Sequence, residues 1–262
     1  MIKIGEKLNS SIKSTVKALN EKDEKAVISL IKKQDTAGAD FLDINTAACS
    51  WGELDCMKWV VGLAKKHSHC GIMLDSPNPD VILGALEMAG DNAIVNSVTP
   101  IDRYGELVPV IAQRGLGVVA LPIEKTLTQS LSSRIESAFN LISRLRQDGV
   151  SDENIYLDIL VESLAVNDRS GRNCIETIAA VKKKFPDVKT TGGLSNISFG
   201  LPERALINRT FAAVAVIAGL DSAIMDVNDP ALTDSICAAE ALGGRDEFCI
   251  EYIMHCREKA GQ

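Results

Sequence analysis

Residues 71–96 have the sequence GIMLDSPNPDVILGALEMAGDNAIVN, in which two kinds of pattern alternate. The short apolar run at 71–74 predicts a buried strand, and residues 79–89 carry apolar side chains at the 3.6-residue spacing of a helix. That helical segment starts with proline, and Gly90 follows its last residue, as is typical of helix ends. A second apolar run at 93–95 predicts the next strand. The stretch therefore predicts a strand–helix–strand unit of a parallel sheet.

The same alternation recurs along the whole chain of 262 residues. The predicted strands are 2–5, 40–44, 71–74, 93–95, 117–121, 154–157, 189–192 and 222–225. The predicted helices are 23–37, 57–66, 79–89, 104–114, 134–147, 174–185, 203–218 and 230–241. Eight such units match a (β/α)8 TIM barrel, for which about 250 residues is typical. A doubly wound sheet would normally carry a G-x-G-x-x-G turn after an early strand, and residues 5–9 (GEKLN) lack it. We predict a single-domain TIM barrel of the α/β class over residues 1–262.

The composition excludes several classes of protein. Hydrophobic residues make up 46% and charged residues 24%, as in ordinary globular proteins, and the formal net charge of −7 disfavours a nucleic-acid partner. The longest apolar stretch, residues 211–220, is about half of a membrane span, and the N-terminus lacks a secretory signal. Seven scattered cysteines indicate reduced thiols rather than disulfides. We therefore predict a cytoplasmic protein that binds no membrane.

Carboxylate and carboxamide side chains stand at the carboxyl ends of seven of the eight predicted strands. In a TIM barrel the active site is built from these strand ends and the loops that follow them. A single Asp or Asn there also starts turns and caps helices, so only the whole set points to function. The exception is the fifth strand, which ends in residues 121–124 (LPIE). The set consists of Glu6, Asn9, Asp43, Asn45, Asp75, Asn96, Asp158, Asn196, Asp226 and Asn228.

This ring of Asp and Asn residues narrows the chemistry of the predicted site. Their paired acceptors and donors match a flat heterocycle that carries an amino group, a ring N–H and a carbonyl. A zinc hydrolase would need His or Cys ligands, which the predicted barrel mouth lacks. A Schiff-base enzyme would need a desolvated lysine, and only Lys7 and Lys125 lie near strand ends. A magnesium site made of Asp43, Asp75 and Asp158 stays open, because magnesium takes carboxylate oxygens.

Six short motifs at these strand ends occur in the order found in one known family. The most specific is Gly193-Leu194-Ser195-Asn196-Ile197-Ser198, followed by Arg204 and residues 206–211 (LINRTF). The others are residues 5–9 (GEKLN), 42–45 (LDIN), 74–76 (LDS), 95–97 (VNS) and 156–158 (YLD). Together they resemble the motifs of pterin-binding methyltransferases, which move a methyl group between tetrahydrofolate and a corrinoid protein. The resemblance extends over nearly the whole chain.

The resemblance implies a role for each matching position. Asp75, Asn96 and Asp158 would bind the edge of the pterin ring, and Asn196 would be the catalytic side chain near N5, the atom that gives or receives the methyl group. The same resemblance implies no metal ligands. Supporting positions would be Glu6, Asp43, Asn45, Ser198 and Arg204.

The resemblance also implies substrates and partners. Tetrahydrofolate and 5-methyltetrahydrofolate would be the folate substrates. Cobalamin would arrive on a separate, transiently bound corrinoid protein, because none of the three histidines lies in a D-x-H-x-x-G signature. Tetrahydrofolate is expected to be the acceptor, as in stand-alone methyltransferases of anaerobic demethylase systems such as glycine betaine demethylation.

Two other functions and one assembly question stay open from the sequence. Dihydropteroate synthase shares the barrel and a pterin pocket, but it needs cations for a pyrophosphate, and its Ser-Arg-Lys-type loop is not evident here. A pterin-binding protein without catalysis is the third hypothesis. Residues 209–220 are apolar on most faces, whereas an outer barrel helix should be amphipathic. We predict that this helix forms a homodimer contact, unless neighbouring helices cover it.

Overall fold

The computed structural model describes residues 1–101, 103–123 and 130–260, and within them eight strands alternate with ten helices. The strands are β1 (Ile2–Asn9), β2 (Phe41–Asn45), β3 (Gly71–Asp75), β4 (Ala93–Val98), β5 (Gly117–Ala120), β6 (Ile155–Asp158), β7 (Lys189–Thr191) and β8 (Ser222–Met225). The helices are α1 (Lys13–Asn20), α2 (Glu24–Thr36), α3 (Glu53–His67), α4 (Pro79–Ala89), α5 (Tyr104–Arg114), α6 (Leu131–Gln147), α7 (Ser170–Lys184), α8 (Arg204–Ala218), α9 (Pro230–Leu242) and α10 (Ile250–Ala260).

The strands form one parallel sheet that closes into a barrel. Their order is β7-β6-β5-β4-β3-β2-β1-β8, and the two edge strands meet through a bridge between Gly193 and Ile224. At this seam the Ile224 N–H donates to the carbonyl of Gly192 at 3.0 Å. The Asp221 carboxylate also joins the two edges, because it accepts the N–H of Thr190 at 2.8 Å. The predicted single-domain (β/α)8 barrel is confirmed.

Two layers of apolar side chains hold the barrel together. Successive side chains of a strand point to opposite faces, so one half of each strand fills the barrel and the other half packs against the helices. The inner layer is small and fully enclosed. It consists of Ile4, Met73, Ile94, Val119 and Tyr156, one residue from each of five strands. The much larger outer layer lies between the sheet and the surrounding helices.

The structure departs from the predicted elements in several places, of which two missed helices and the extent of β1 matter most. Helix α1 was missed, because its eight residues lie in a segment that the sequence presents as a loop after β1. Helix α10 was also missed, since most of its apolar residues are exposed and do not form a buried stripe. Strand β1 continues to Asn9 rather than ending at residue 5, with a shift of register between Gly5 and Leu8 against β2. This irregularity carries β1 further towards the mouth of the barrel.

All seven cysteines are free thiols. Across the three described ranges, no helix combines the length and apolar character that crossing a membrane requires.

Candidate active site

A cavity of about 760 Å³ opens at the carboxyl ends of the strands. Seven of the predicted site residues line it, and the remaining two, Asn45 and Ser198, hydrogen-bond to residues that do. Glu124 and Lys125 lie outside the described residues. The seven lining residues are Glu6, Asp43, Asp75, Asn96, Asp158, Asn196 and Arg204.

The two-residue period of the strands places these polar groups in one layer. In each contributing strand the polar residue comes two positions after a residue that faces the barrel interior, so it points the same way, one step nearer the mouth. Met73 precedes Asp75, Ile94 precedes Asn96, and Tyr156 precedes Asp158 in this manner. The polar cavity is therefore the layer directly above the apolar core of the barrel.

Two carboxylates at the base of the cavity are held by carboxamides. Asn96 Nδ2 donates to Asp43 Oδ1 at 3.3 Å, and Asn45 Nδ2 donates to Asp75 Oδ2 at 2.9 Å. The orientation of Asn45 is determined by its other end, because its Oδ1 accepts the backbone N–H of Ala47 at 3.2 Å. Asn45 is therefore a supporting residue that orients Asp75, and it does not line the cavity itself.

Burial makes both carboxyl groups reluctant to ionise. The side chain of Asp43 is 2% exposed, and this burial raises its pKa well above the usual range, with a further rise from the neighbouring Asp75 charge. Burial likewise raises the pKa of Asp75, although the Asn45 hydrogen bond and the positive charge of Arg103 oppose it. The cavity floor thus disfavours two negative charges side by side on Asp43 and Asp75.

We expect Asp43→Asn to stabilise the unliganded protein by about 0.5–2 kcal/mol, or roughly 1–8 °C in Tm. A carboxyl group whose pKa is raised by folding costs stability above its unfolded pKa, so the gain is present at neutral pH and shrinks as pH falls towards 4. Thermal unfolding at about pH 7 and pH 4.5 measures it. Asp187→Asn, at an exposed position before β7, is the control and should change little. A variant less stable than the native protein at neutral pH would contradict this account of Asp43.

Asp158 occupies the opposite side of the cavity. Burial raises its pKa to about 6, against the opposing effects of the Leu160 backbone N–H and the Arg134 guanidinium. The Leu160 N–H donates to Asp158 Oδ1 at 2.7 Å. Asp158 is therefore ionised at neutral pH and becomes protonated in mildly acidic solution.

Asn196 lies at the exposed rim, on a short 3-10 turn (Leu194–Ser198) that follows β7. A Cβ atom at Gly193 would approach Asn196 Nδ2 to 2.9 Å, so a larger residue there would displace this amide from its present position. Arg204 anchors the turn by donating to the Ser195 carbonyl at 2.8 Å and to Ser198 Oγ at 3.0 Å. The Ser195 hydroxyl in turn donates to Glu6 Oε2 at 2.9 Å. The predicted supporting residues Glu6, Ser198 and Arg204 thus hold the turn that carries Asn196.

Lys7 is a cation engaged in ion pairs. Its Nζ lies 2.7 Å from Asp226 Oδ2 and 3.4 Å from Glu6 Oε1. Burial lowers the pKa of Lys7, but the hydrogen bond to Asp226 and the two negative charges outweigh this effect and raise it overall. A protonated, paired amine is not a nucleophile, so these contacts disfavour a Schiff-base role for Lys7.

Sequence reasoning missed several residues that shape the site. Arg103, after β4, donates to the carbonyl of Ser76 at 3.0 Å, and its charge acts on Asp75. Asn208 of α8 lines the cavity, and its Oδ1 is buried without a hydrogen-bond partner in the described part of the chain. Neither residue follows a strand directly. Arg103 is revealed only by its position in space, whereas Asn208 belongs to the motif at residues 206–211, to which sequence reasoning assigned no separate role.

The arrangement of the described carboxylates does not match the magnesium hypothesis. Among the described residues, no group of three or more His, Cys, Asp or Glu side chains is placed to hold a metal ion, and this includes Asp43, Asp75 and Asp158. These carboxylates contact amide and backbone N–H groups instead.

The sequence of the chain is similar to those of pterin-binding enzymes. Residues 5–226 match the model of the pterin binding enzyme family. The methylcorrinoid:tetrahydrofolate methyltransferase of Eubacterium limosum is 30% identical, and the match covers 98% of this chain and 97% of that protein. The methionine synthase of Mycobacterium tuberculosis is 34% identical over 85% of this chain, which corresponds to only 20% of that longer protein.

Solved dihydropteroate synthases share the fold. The enzyme of Coxiella burnetii in complex with pteroic acid superposes with a TM-score of 0.67 at 17% identity, covering 92% of this chain and 93% of that one. The enzyme of Stenotrophomonas maltophilia gives a TM-score of 0.69 at 16% identity, covering 92% of each chain. At these identities the likeness extends to the barrel fold alone.

Proposed function

The chain belongs to the family of pterin-binding enzymes and is a methyltransferase, and we propose that it moves a methyl group between a methylated corrinoid and N5 of tetrahydrofolate. The family predicted from the strand-end motifs is thereby confirmed. One observation carries the proposed reaction. The carboxylates of Asp75 and Asp158 and the carboxamide of Asn96 line one cavity, and the exposed amide of Asn196 lies at its rim.

In this proposal Asp75, Asn96 and Asp158 bind the pterin ring. A pterin presents N–H donors at its 2-amino group and ring nitrogens, and ionised carboxylates are acceptors for such donors. Asn96 gives one N–H to Asp43, and its amide oxygen supplies a further acceptor. The layered placement of these groups supports binding of the ring in the plane above the apolar core.

Asn196 would act at N5. An amide accepts a hydrogen bond from a protonated nitrogen and donates one to a neutral nitrogen, so it serves both directions of transfer without titrating. The corrinoid supplies the methyl group as a substrate. As the N5 lone pair forms a bond to the methyl carbon, the bond from that carbon to cobalt breaks and its electron pair stays on cobalt, which is reduced by two electrons. N5 releases its proton to solvent. Alignment of donor and acceptor contributes much of the rate of such a displacement.

We further propose that tetrahydrofolate is the acceptor and 5-methyltetrahydrofolate the product. The name of the Eubacterium limosum relative, which couples a methylcorrinoid to tetrahydrofolate, supports this direction. The corrinoid would be presented by a separate protein in a transient contact at the open rim of the barrel.

The cellular compartment is a further part of the proposal. The free cysteines support a reducing compartment, the cytoplasm.

The experiment that tests the function is an anaerobic assay of the purified protein with tetrahydrofolate and methylcobalamin. Formation of 5-methyltetrahydrofolate, measured by chromatography beside calorimetric binding of tetrahydrofolate, is the expected result. Binding without transfer, from methylcobalamin or from a methylated corrinoid protein, would indicate a pterin-binding protein without catalysis. Conversion of a pterin pyrophosphate with aminobenzoate would instead indicate a dihydropteroate synthase.

Helix α8 supports a homodimer as a further part of the proposal. Its inner face is buried through Phe211 and Ala215, whereas Val214 and Ile217 on the outer face are 43% and 53% exposed. The neighbouring helices therefore cover only one side of this apolar helix. A second copy of the chain would remove the outer face from water.

We expect the native protein to sediment as a dimer at micromolar concentration and the Ile217→Glu variant as a monomer. A charge on the outer face of α8 would have to be desolvated in the interface, which disfavours association. Lys183→Glu, at an exposed position of α7, is the control and should stay dimeric. A native protein that is monomeric under these conditions would contradict the proposal.

A further inference from the structure

Arg134 is a charged side chain in an unusual place. It lies in the first turn of α6 and is 0% exposed, among the largest fully buried side chains of the described chain. Burying a guanidinium is costly unless its N–H groups and its charge are matched. The contacts of Arg134 therefore decide how far the cost of its burial is offset.

The hydrogen bonds of its two terminal nitrogens all go to the segment that follows β6, whereas its Nε is buried without a partner among the described residues. Arg134 donates to the carbonyls of Leu160 at 2.8 Å and Ile159 at 3.3 Å. Its other terminal nitrogen pairs with the carboxylate of Glu162, which also accepts an N–H from Asn167 at 3.0 Å. The side chain of Arg134 thus contacts three of the four residues 159–162.

This segment has a backbone that requires support. Leu160 has a φ of +55°, a left-handed conformation that a leucine rarely adopts. In that conformation its N–H points to Asp158 and donates to Oδ1 at 2.7 Å. The Arg134 hydrogen bond to the carbonyl of the same residue holds the turn in this state.

The turn also forms a wall of the site. An apolar recess of about 490 Å³ adjoins the main cavity, and both Asp158 and Asn196 line it. Leu160, Val161 and Glu162 supply one side of the recess. A change in the turn would therefore alter the place of Asp158 and the shape of the recess together.

We propose that Arg134 is a positioning residue for the pterin site: it holds residues 158–162 in the conformation that presents the Asp158 carboxylate to the cavity. This inference rests on the proposed function, because it assigns to Asp158 a role in binding the pterin ring. Arg134 itself does not line the cavity, so it would act on a bound pterin only through the turn.

The electrostatics of the neighbourhood support this role. Burial raises the pKa of Asp158 to about 6, and the Leu160 N–H and the Arg134 charge keep it from rising further. The other titratable groups near Asp158 are Glu162 in the turn and Cys174 of α7. The charged or titratable residues that share its cavity are Glu6, Lys7, Asp43, Asp75, Arg204, Asp226 and Asp229. Cys174 stays a neutral thiol, because burial raises its pKa to about 12. Arg134 is thus the cation that favours the ionised form of Asp158.

The test is the pH dependence of tetrahydrofolate binding, measured by anaerobic calorimetry on the full chain. The native protein should lose affinity as pH falls through about 6, when Asp158 is protonated. For Arg134→Met we expect the pKa of Asp158 to rise by about one unit, so the Kd should rise about fivefold at pH 6, about twofold at pH 7 and hardly at all at pH 8.5. A variant with native Kd values at every pH would overturn the inference. An equal rise of the Kd at every pH would also overturn it, because it would show that Arg134 affects only the stability of the site and not the ionisation of Asp158.

A second set of variants guards against simple misfolding of Arg134→Met. Arg134→Lys keeps the charge but loses the forked contacts, so it should retain the native pH profile with a moderately higher Kd. In an Asp158→Asn background, either change at Arg134 should have little further effect on binding, whereas additive effects would overturn the proposal. If the native protein itself fails to bind tetrahydrofolate, the proposed function fails, and this outcome is distinct from a failure of Arg134 alone.

Discussion

Asp75→Ala is expected to raise the Kd of tetrahydrofolate by roughly 10- to 200-fold. A hydrogen bond to a charged group contributes about 1.5–3 kcal/mol, and each 1.4 kcal/mol corresponds to about a tenfold change in Kd. The substitution also removes the acceptor of the Asn45 amide, which leaves a buried donor without its partner. Anaerobic calorimetric titration of the native and variant proteins measures the difference.

Asp187→Ala is the matched control for this prediction. Asp187 is exposed and precedes β7, so it lies at the amino end of the barrel, away from the cavity. Its replacement removes the same carboxylate and should leave the Kd unchanged. Circular dichroism and thermal unfolding establish that Asp75→Ala is folded at the temperature of the titration. Native affinity in a folded Asp75→Ala protein would remove Asp75 from the pterin site.

Asn196→Ala is expected to slow methyl transfer by about 10²–10³-fold and to change the Kd of tetrahydrofolate by less than about threefold. Loss of one positioned donor to a reacting group has effects of this size in other enzymes. The exposed rim position of Asn196 predicts a small share in ground-state binding. Single-turnover transfer from methylcobalamin measures the rate, and calorimetry measures the Kd.

Asn228→Ala serves as the control for the catalytic prediction. Asn228 follows β8 at the same end of the barrel, is exposed, and does not line the main cavity. Its replacement removes an identical amide and should leave the transfer rate unchanged. If Asn196→Ala transfers methyl groups at the native rate, the amide has no role at N5. If it raises the Kd and the rate constant stays native, Asn196 is a binding residue only.

The fold was predictable because its pattern is local and repeated. Each strand–helix unit carries its own apolar runs and end signals, so errors in single elements, such as α1 and α10, do not alter the count of eight strands. The ends of β1 and β4 were less predictable, since both strands continue through polar residues into the mouth of the barrel. Pairing with neighbouring strands decides those ends.

The candidate site was predictable as a set of residues but not as a set of contacts. A parallel barrel brings all strand ends to one rim, so residues as distant as Glu6 and Asn196 in sequence were expected to meet there. The contacts through which the supporting residues act were not predictable. Asn45 and Arg204 are of the same chemical types as ligand-binding groups, yet both donate hydrogen bonds to neighbouring protein groups.

The sequence by itself determined the barrel, the identity of the polar ring and the family, because periodicity, residue type and motif order are all properties of the linear chain. Only the tertiary structure decided that Arg134 supports Asp158, that Lys7 is paired, and that Asp43 is too buried to ionise readily. Those properties depend on burial and on distances between elements far apart in the chain. Charge and proton affinity are determined by such surroundings, and a side chain acquires them only when the barrel closes.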